Sequence, residues 1–95
     1  MVERRLKVNN KFGLHARPAS KIMNLASKYN SEIFLYKLNE DDKKADCKSV
    51  LSLLLLGAVQ GTELVLCTSG QDEEVSINEI SNLFDRNFDE EFWGR

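Results

Sequence analysis

The chain has 95 residues, a formal net charge of −2, one histidine, one proline and two cysteines. That length makes a single domain with a real but modest core, and the slightly negative balance excludes a general nucleic-acid binder. No apolar run approaches a membrane span, so no membrane insertion is expected, and one histidine with two distant cysteines gives no metal-ligand spacing, so no metal or other cofactor is expected.

The N-terminus, Met1-Val2-Glu3-Arg4-Arg5, lacks the apolar centre of a secretion signal, so a cytoplasmic protein is expected. In that compartment Cys47 and Cys67 stay reduced. Residues 2–8 alternate, with Leu6 and Val8 on one face and Glu3, Arg5 and Lys7 on the other, and predict a strand. Residues 16–28 predict a helix, because Ala19, Ile22, Met23 and Ala26 fall on one side. Residues 32–38 are β-branched and aromatic enough for a second strand. Asn39-Glu40-Asp41-Asp42 reads as a polar turn, with a short strand near 43–46. Ser49 can cap a second helix that ends at Gly57. Residues 62–68 predict a strand with Leu64 and Leu66 inward. Asp72 can cap a third helix, with Glu73 and Glu74 at the positive end of its dipole and a stripe of Ile77, Ile80, Leu83 and Phe84. The order βαββαβα predicts an α+β open-faced sandwich, three helices on one face of a four-stranded antiparallel sheet. No repeat or low-complexity segment interrupts it.

Gly13-Leu14-His15-Ala16-Arg17-Pro18-Ala19 holds the only histidine and the only proline. Proline belongs in the first turn of a helix, so His15 should sit just ahead of a helix N-terminus, beside backbone N–H groups that no carbonyl of the helix accepts. Such an end holds anions. Neutral imidazole is a nucleophile, and a phosphoryl group on it would meet the next turn, Ala16-Arg17-Pro18, and the free N–H groups there. Arg17 adds a guanidinium able to pair with phosphate oxygens. Gly13 permits close backbone approach or a positive φ.

The second helix is apolar nearly all round: Val50, Leu51, Leu53, Leu54, Leu55 and Leu56. Either it is deeply buried, or some of these leucines form an exposed patch that binds a partner. Ser49 is sufficient as a cap and needs no further role there.

The run Gly13–Ala19 resembles the active-site motif of HPr, the histidine-containing phosphocarrier of the sugar phosphotransferase system. Lys48-Ser49-Val50-Leu51 through Leu56-Gly57 is similar to that family's regulatory-serine helix, and Gly61 and Ser69-Gly70-Gln71-Asp72-Glu73 fall in family order. The resemblance spans residues 2–88. It implies a phosphoryl-group carrier rather than an enzyme, with His15 carrying the group on Nδ1 and Arg17 assisting. The donor would be Enzyme I, charged from phosphoenolpyruvate, and the acceptors Enzyme IIA domains for sugar uptake. Ser49 would be the target of an HPr kinase/phosphorylase, and Leu51, Ser52, Leu54 and Leu55 would form the docking surface of a monomer. The runner-up is a regulatory adaptor of the nitrogen-branch or catabolite-control type, read out through its phosphorylation state. The chain departs from family habit at Phe12, where a small or polar residue is common, and at Leu51 and Ser52, where many members have Met and Gly. Residues 1–88 would form the carrier domain and residues 89–95 a C-terminal extension. Phe88, Phe92 and Trp93 would either pack on the body from a lengthened third helix or belong to a tail or dimer contact.

Overall fold

The computed structural model describes residues 1–89. Along the chain run β1 (Val2–Lys7), α1 (Ala16–Ala26), β2 (Glu32–Lys37), β3 (Ala45–Asp46), α2 (Val50–Leu56), β4 (Glu63–Ser69) and α3 (Glu73–Asp85). This is the expected βαββαβα order. The strands form one antiparallel sheet in the spatial order β1-β4-β2-β3. β4 is paired along both edges, with Leu66 opposite Arg4 on β1 and Leu35 on β2.

The two-residue period of the strands sorts the side chains. Ile33, Leu35, Leu64 and Leu66 point to the helices, where they meet Ala19 and Ile22 of α1, Leu53 of α2, and Ile77, Ile80, Leu83 and Phe84 of α3 in one core. Among the described residues the opposite sheet face carries no helix. There Tyr36, Val65 and Cys67 form a small second cluster with Leu38, Lys44 lies 5.7 Å from the centre of the Tyr36 ring, and the Tyr36 hydroxyl donates to Glu3. The molecule is therefore an open-faced sandwich. Cys47 lies in the helix-side core and Cys67 on the far face, so the sheet separates the two thiols, and both are free.

Several elements are shorter than their sequence signals: β1 stops at Lys7, α1 at Ala26 with Ser27 as its C-cap, and β3 is the pair Ala45–Asp46. Asp72 stands at the N-cap of α3 but makes no side-chain capping bond. Its carboxylate instead accepts from the Asn30 and Ser31 N–H groups, both at 2.9 Å, and from the Ser31 hydroxyl. A tertiary partner with three donors outcompetes the local cap. Glu73, the first residue of α3, accepts from the Gly70 N–H at 3.0 Å and from the terminal amine of Met1.

The third helix is not lengthened. After Asp85 the chain makes a left-handed turn, with φ of 55°, 59° and 56° at Asn87, Phe88 and Asp89. The turn folds Phe88 back until it is 1% exposed, against Phe84 at 4.7 Å between ring centres. Lys21 of α1 donates to the Phe88 carbonyl at 2.5 Å, and Arg86 pairs with Asp89. Phe92 and Trp93 lie outside the described residues.

Candidate phosphoryl-acceptor site

The loop between β1 and α1 is shaped by Asn10 and Gly13. Asn10 is buried; its side-chain amide donates to the Gly13 carbonyl at 2.7 Å, and its own carbonyl accepts from the Gly13 N–H at 3.2 Å. Gly13 has a φ of +68°, and a Cβ there would lie 2.3 Å from the Ala58 carbonyl oxygen. Close approach and positive φ both apply, and each alone favours glycine. The next residue, Leu14, donates its N–H to that Ala58 carbonyl at 2.9 Å and buries its side chain in the core. The loop is thereby bonded to the chain just beyond α2.

His15 follows as the N-cap of α1, half-buried, with extended backbone (φ −82°, ψ −170°) and no side-chain capping bond to the helix. Its carbonyl accepts from the Ala19 N–H at 3.0 Å. Pro18 has no N–H and its ring is buried, so it starts the helix and offers an anion no donor. The donors left at this end are the N–H groups of Ala16 and Arg17. No acidic residue occupies the first turn of α1, so nothing there repels an anion. Arg17 is exposed and makes no ion pair among the described residues, which leaves its guanidinium available to a phosphate.

Ser49 is the N-cap of α2, and its hydroxyl accepts from the Ser52 N–H at 3.2 Å. Gly57 ends the helix in the left-handed conformation, φ +68°. Lys48 reaches the Tyr29 carbonyl at 2.8 Å and ties this end of α2 to the end of α1. The uniform apolar sequence of α2 separates sharply by burial. Leu53 is fully buried, whereas Leu51 is 66% exposed, Leu54 40% and Leu55 78%. The deeply buried reading of α2 is therefore wrong, because a short helix on one side of a sheet has only one face to bury. Phe12, 74% exposed, and Val59, 66% exposed, extend this surface toward His15, since Gly13 packs against Val59. Among the described residues the other large exposed hydrophobics are Met1 and Val75.

The fold thus brings together His15, Arg17, Phe12 and the C-terminal end of α2. Ser49 lies at the other end of that helix, about 10 Å along it at 1.5 Å per residue. Asn10 and Ala58, which shape the loop, were not expected from the sequence. Asn10 has a local signal, an Asn three residues before a left-handed Gly, whereas Ala58 has none. Among the described residues no cluster of His, Cys, Asp and Glu could hold a metal, and no helix is long and apolar enough to cross a membrane.

The family described as "PTS HPr component phosphorylation site" matches residues 2–86. Phosphocarrier protein NPr of Shewanella violacea is 40% identical over 89 residues, 94% of each chain. The crystal structure of HPr-C-His from Thermoanaerobacter tengcongensis superposes with a TM-score of 0.86 at 38% identity, over 97% of this chain and 100% of that one. Crh of Bacillus subtilis, in a structure titled as a domain-swapped dimer, gives a TM-score of 0.69 at 32% identity, over 92% of this chain and 97% of that one.

Proposed function

The chain belongs to the HPr family of phosphotransferase-system phosphocarriers, and from that premise we propose that His15 accepts a phosphoryl group from phospho-Enzyme I and passes it to Enzyme IIA domains for sugar uptake. The carrying observation is the placement of the only histidine at the N-cap of α1, before a first turn with two available N–H donors and no acid. The Nδ1 lone pair attacks phosphorus, the bond from phosphorus to the donor breaks, and the new N–P bond leaves the charge beside the helix N-terminus and Arg17. The reverse exchange hands the group to the acceptor. Nothing in the step changes oxidation state, so it needs no cofactor, and the protein acts as a relay intermediate rather than an enzyme.

The exposed leucines of α2, with Ser52 between them, form the docking surface in this reading, and the protein works as a cytoplasmic monomer. Ser49 is the regulatory position for an HPr kinase/phosphorylase: a phosphate there keeps the cap but puts nearly two negative charges beside an apolar contact. A second reading, a regulatory adaptor of the nitrogen branch, shares the His15 chemistry and is favoured by the NPr name of a relative. Charging by the sugar-branch Enzyme I in preference to a nitrogen-branch one separates the two.

Incubation with Enzyme I and phosphoenolpyruvate should add one acid-labile phosphoryl group by intact mass. His15→Ala should abolish it with an unchanged melt. Arg17→Ala should slow transfer by about ten- to a hundredfold, and Arg17→Lys should recover part of that because lysine lacks the planar fork. Normal labelling of His15→Ala would refute the assignment.

A further inference from the structure

Between α1 and the end of α3 runs a groove whose lining includes Lys21, Leu25, Lys28, Leu83, Arg86 and Asp89. Its floor is apolar: Leu83 is buried, and Leu25, half-buried, packs on the core from the α1 side. Its rim is cationic, with Lys21, Lys28 and Arg86 against the carboxylate of Asp89. That carboxylate is already committed to Arg86 at 2.9 Å. The hydrogen bond from Arg86, with the charge of Lys21 adding to it, holds the Asp89 carboxyl below the ordinary range. The Lys28 ammonium is exposed and makes no ion pair among the described residues. Glu79 acts on Arg86 from further back on α3 but does not line the groove. A second groove near the end of α3, lined in part by Arg5, Lys7, Glu63 and Asp85, is balanced in charge, and its Arg5 is paired with Glu63 at 3.0 Å.

The left-handed turn after Asp85 leads the chain to the edge of the cationic groove. Lys21 donates to the Phe88 carbonyl there, and Asp89 joins the lining. The sequence continues as Glu90-Glu91-Phe92-Trp93-Gly94-Arg95, two carboxylates followed by two aromatic rings. We infer that residues 90–93 occupy this groove as an intramolecular ligand, with Glu90 and Glu91 against Lys21 and Lys28 and with Phe92 and Trp93 on the floor of Leu25 and Leu83, strapping the end of α3 to α1. Reach permits it. Lys21 and Lys28 are about 10 Å apart along the helix direction at 1.5 Å per residue, and an extended chain covers about 3.3 Å per residue, which brings the third and fourth residues beyond Asp89 level with Lys28. Charge selects it, because of the two grooves within reach this one carries the excess of cations. Burial drives it, because two adjacent rings offer a large apolar gain to set against the entropy of ordering a few residues. None of these arguments depends on the role of His15.

Trp93 is the chain's one tryptophan, so its fluorescence reports on the segment directly. In the whole chain its emission should lie to the blue of that of the urea-denatured chain, with quenching by acrylamide reduced. Lys28→Glu, at an exposed position, should move both readouts to the denatured values with little change in Tm. Lys7→Glu, on the balanced groove, should leave both as in wild type. Adding Glu91→Lys to Lys28→Glu should restore part of the blue shift. In NMR spectra, amide shift differences between wild type and Trp93→Ala should fall on residues 21–28 and 83–89. Wild-type emission at the denatured position would overturn the inference. So would unchanged emission in Lys28→Glu, or shift differences centred on Arg5 and Glu63 or on α2. A blue emission lost on dilution, together with a dimer mass by light scattering, would assign the two rings to a second copy of the chain and overturn it as well.

Discussion

Gly13 holds the loop between β1 and α1 in its shape. Its φ of +68° and the Ala58 carbonyl 2.3 Å from any added Cβ make alanine strained twice over. Gly13→Ala should cost about 1–3 kcal/mol of stability, lowering Tm by roughly 4–8 °C per kcal/mol for a domain of this size. It should also slow phosphoryl acceptance, because Leu14 and His15 move with the loop. A thermal melt and a charging rate check both, and an unchanged melt would mean that the loop relaxes away from Ala58 at little cost. The places of His15 and Arg17 at the start of α1, and the left-handed Gly13 before them, were legible in the sequence because residue type and distance from a helix start mark them. Asn10 was half legible. Ala58 was not, since an alanine carbonyl from a distant part of the chain has no signature. Asp72 shows the opposite limit: its position was readable, but the partner it serves was not, because Asn30 and Ser31 reach it only in the folded chain.

Within α2 the sequence could not say which leucine points inward. A seven-residue helix with leucine at nearly every position has too few polar residues to phase its period, and the sheet beneath makes the choice. Leu53 is fully buried, so Leu53→Ala should cost about 2–5 kcal/mol. Leu51→Glu and Leu55→Glu, at exposed positions, should stay within about 0.5 kcal/mol of wild type yet raise KM for charging by Enzyme I. Ser49→Asp should behave like the glutamate variants, since aspartate caps as well as serine and suits the dipole. Chemical denaturation read against charging kinetics separates the two groups. A leucine-to-glutamate variant that unfolds early would place that residue in the core. Normal KM in all three variants would remove α2 from the docking surface.

At the scale of the whole molecule, layers and element order followed from hydrophobic period and cap residues, but the sheet order β1-β4-β2-β3 did not. Strand partners are chosen by contacts far apart in sequence, which local pattern does not encode. One of the ties that closes this arrangement is a set of hydrogen bonds to an ionised carboxylate. Asp72 clasps the turn after α1 to the start of α3, and the Ser31 hydroxyl, followed by the Asn30 and Ser31 N–H groups, holds its carboxyl below the ordinary range. The Gly70 N–H, followed by the terminal amine, does the same for Glu73. Lowered carboxylate values in the folded state mean that the unfolded chain binds protons first. Their contribution is therefore complete at neutral pH and is lost as the medium is acidified below about pH 4. Asp72→Asn should lower the melting temperature at pH 7 and flatten its decline between about pH 5 and 2. A variant whose melting temperature falls with acid as steeply as that of wild type would show that Asp72 is not the titrating clasp.

His15 is the chain's one histidine, and it sits at the margin of one apolar surface made by Phe12, Val59 and the outer leucines of α2. In the proposed relay this gives the molecule a single berth. A donor seated there leaves no room for an acceptor, so loading and unloading alternate in time and no three-part assembly forms. Throughput is then governed by traffic: uncharged acceptor in excess delays reloading as a competitor, and donor in excess delays delivery. The flux through such a carrier peaks at an intermediate ratio of its partners, whatever the speed of the chemistry.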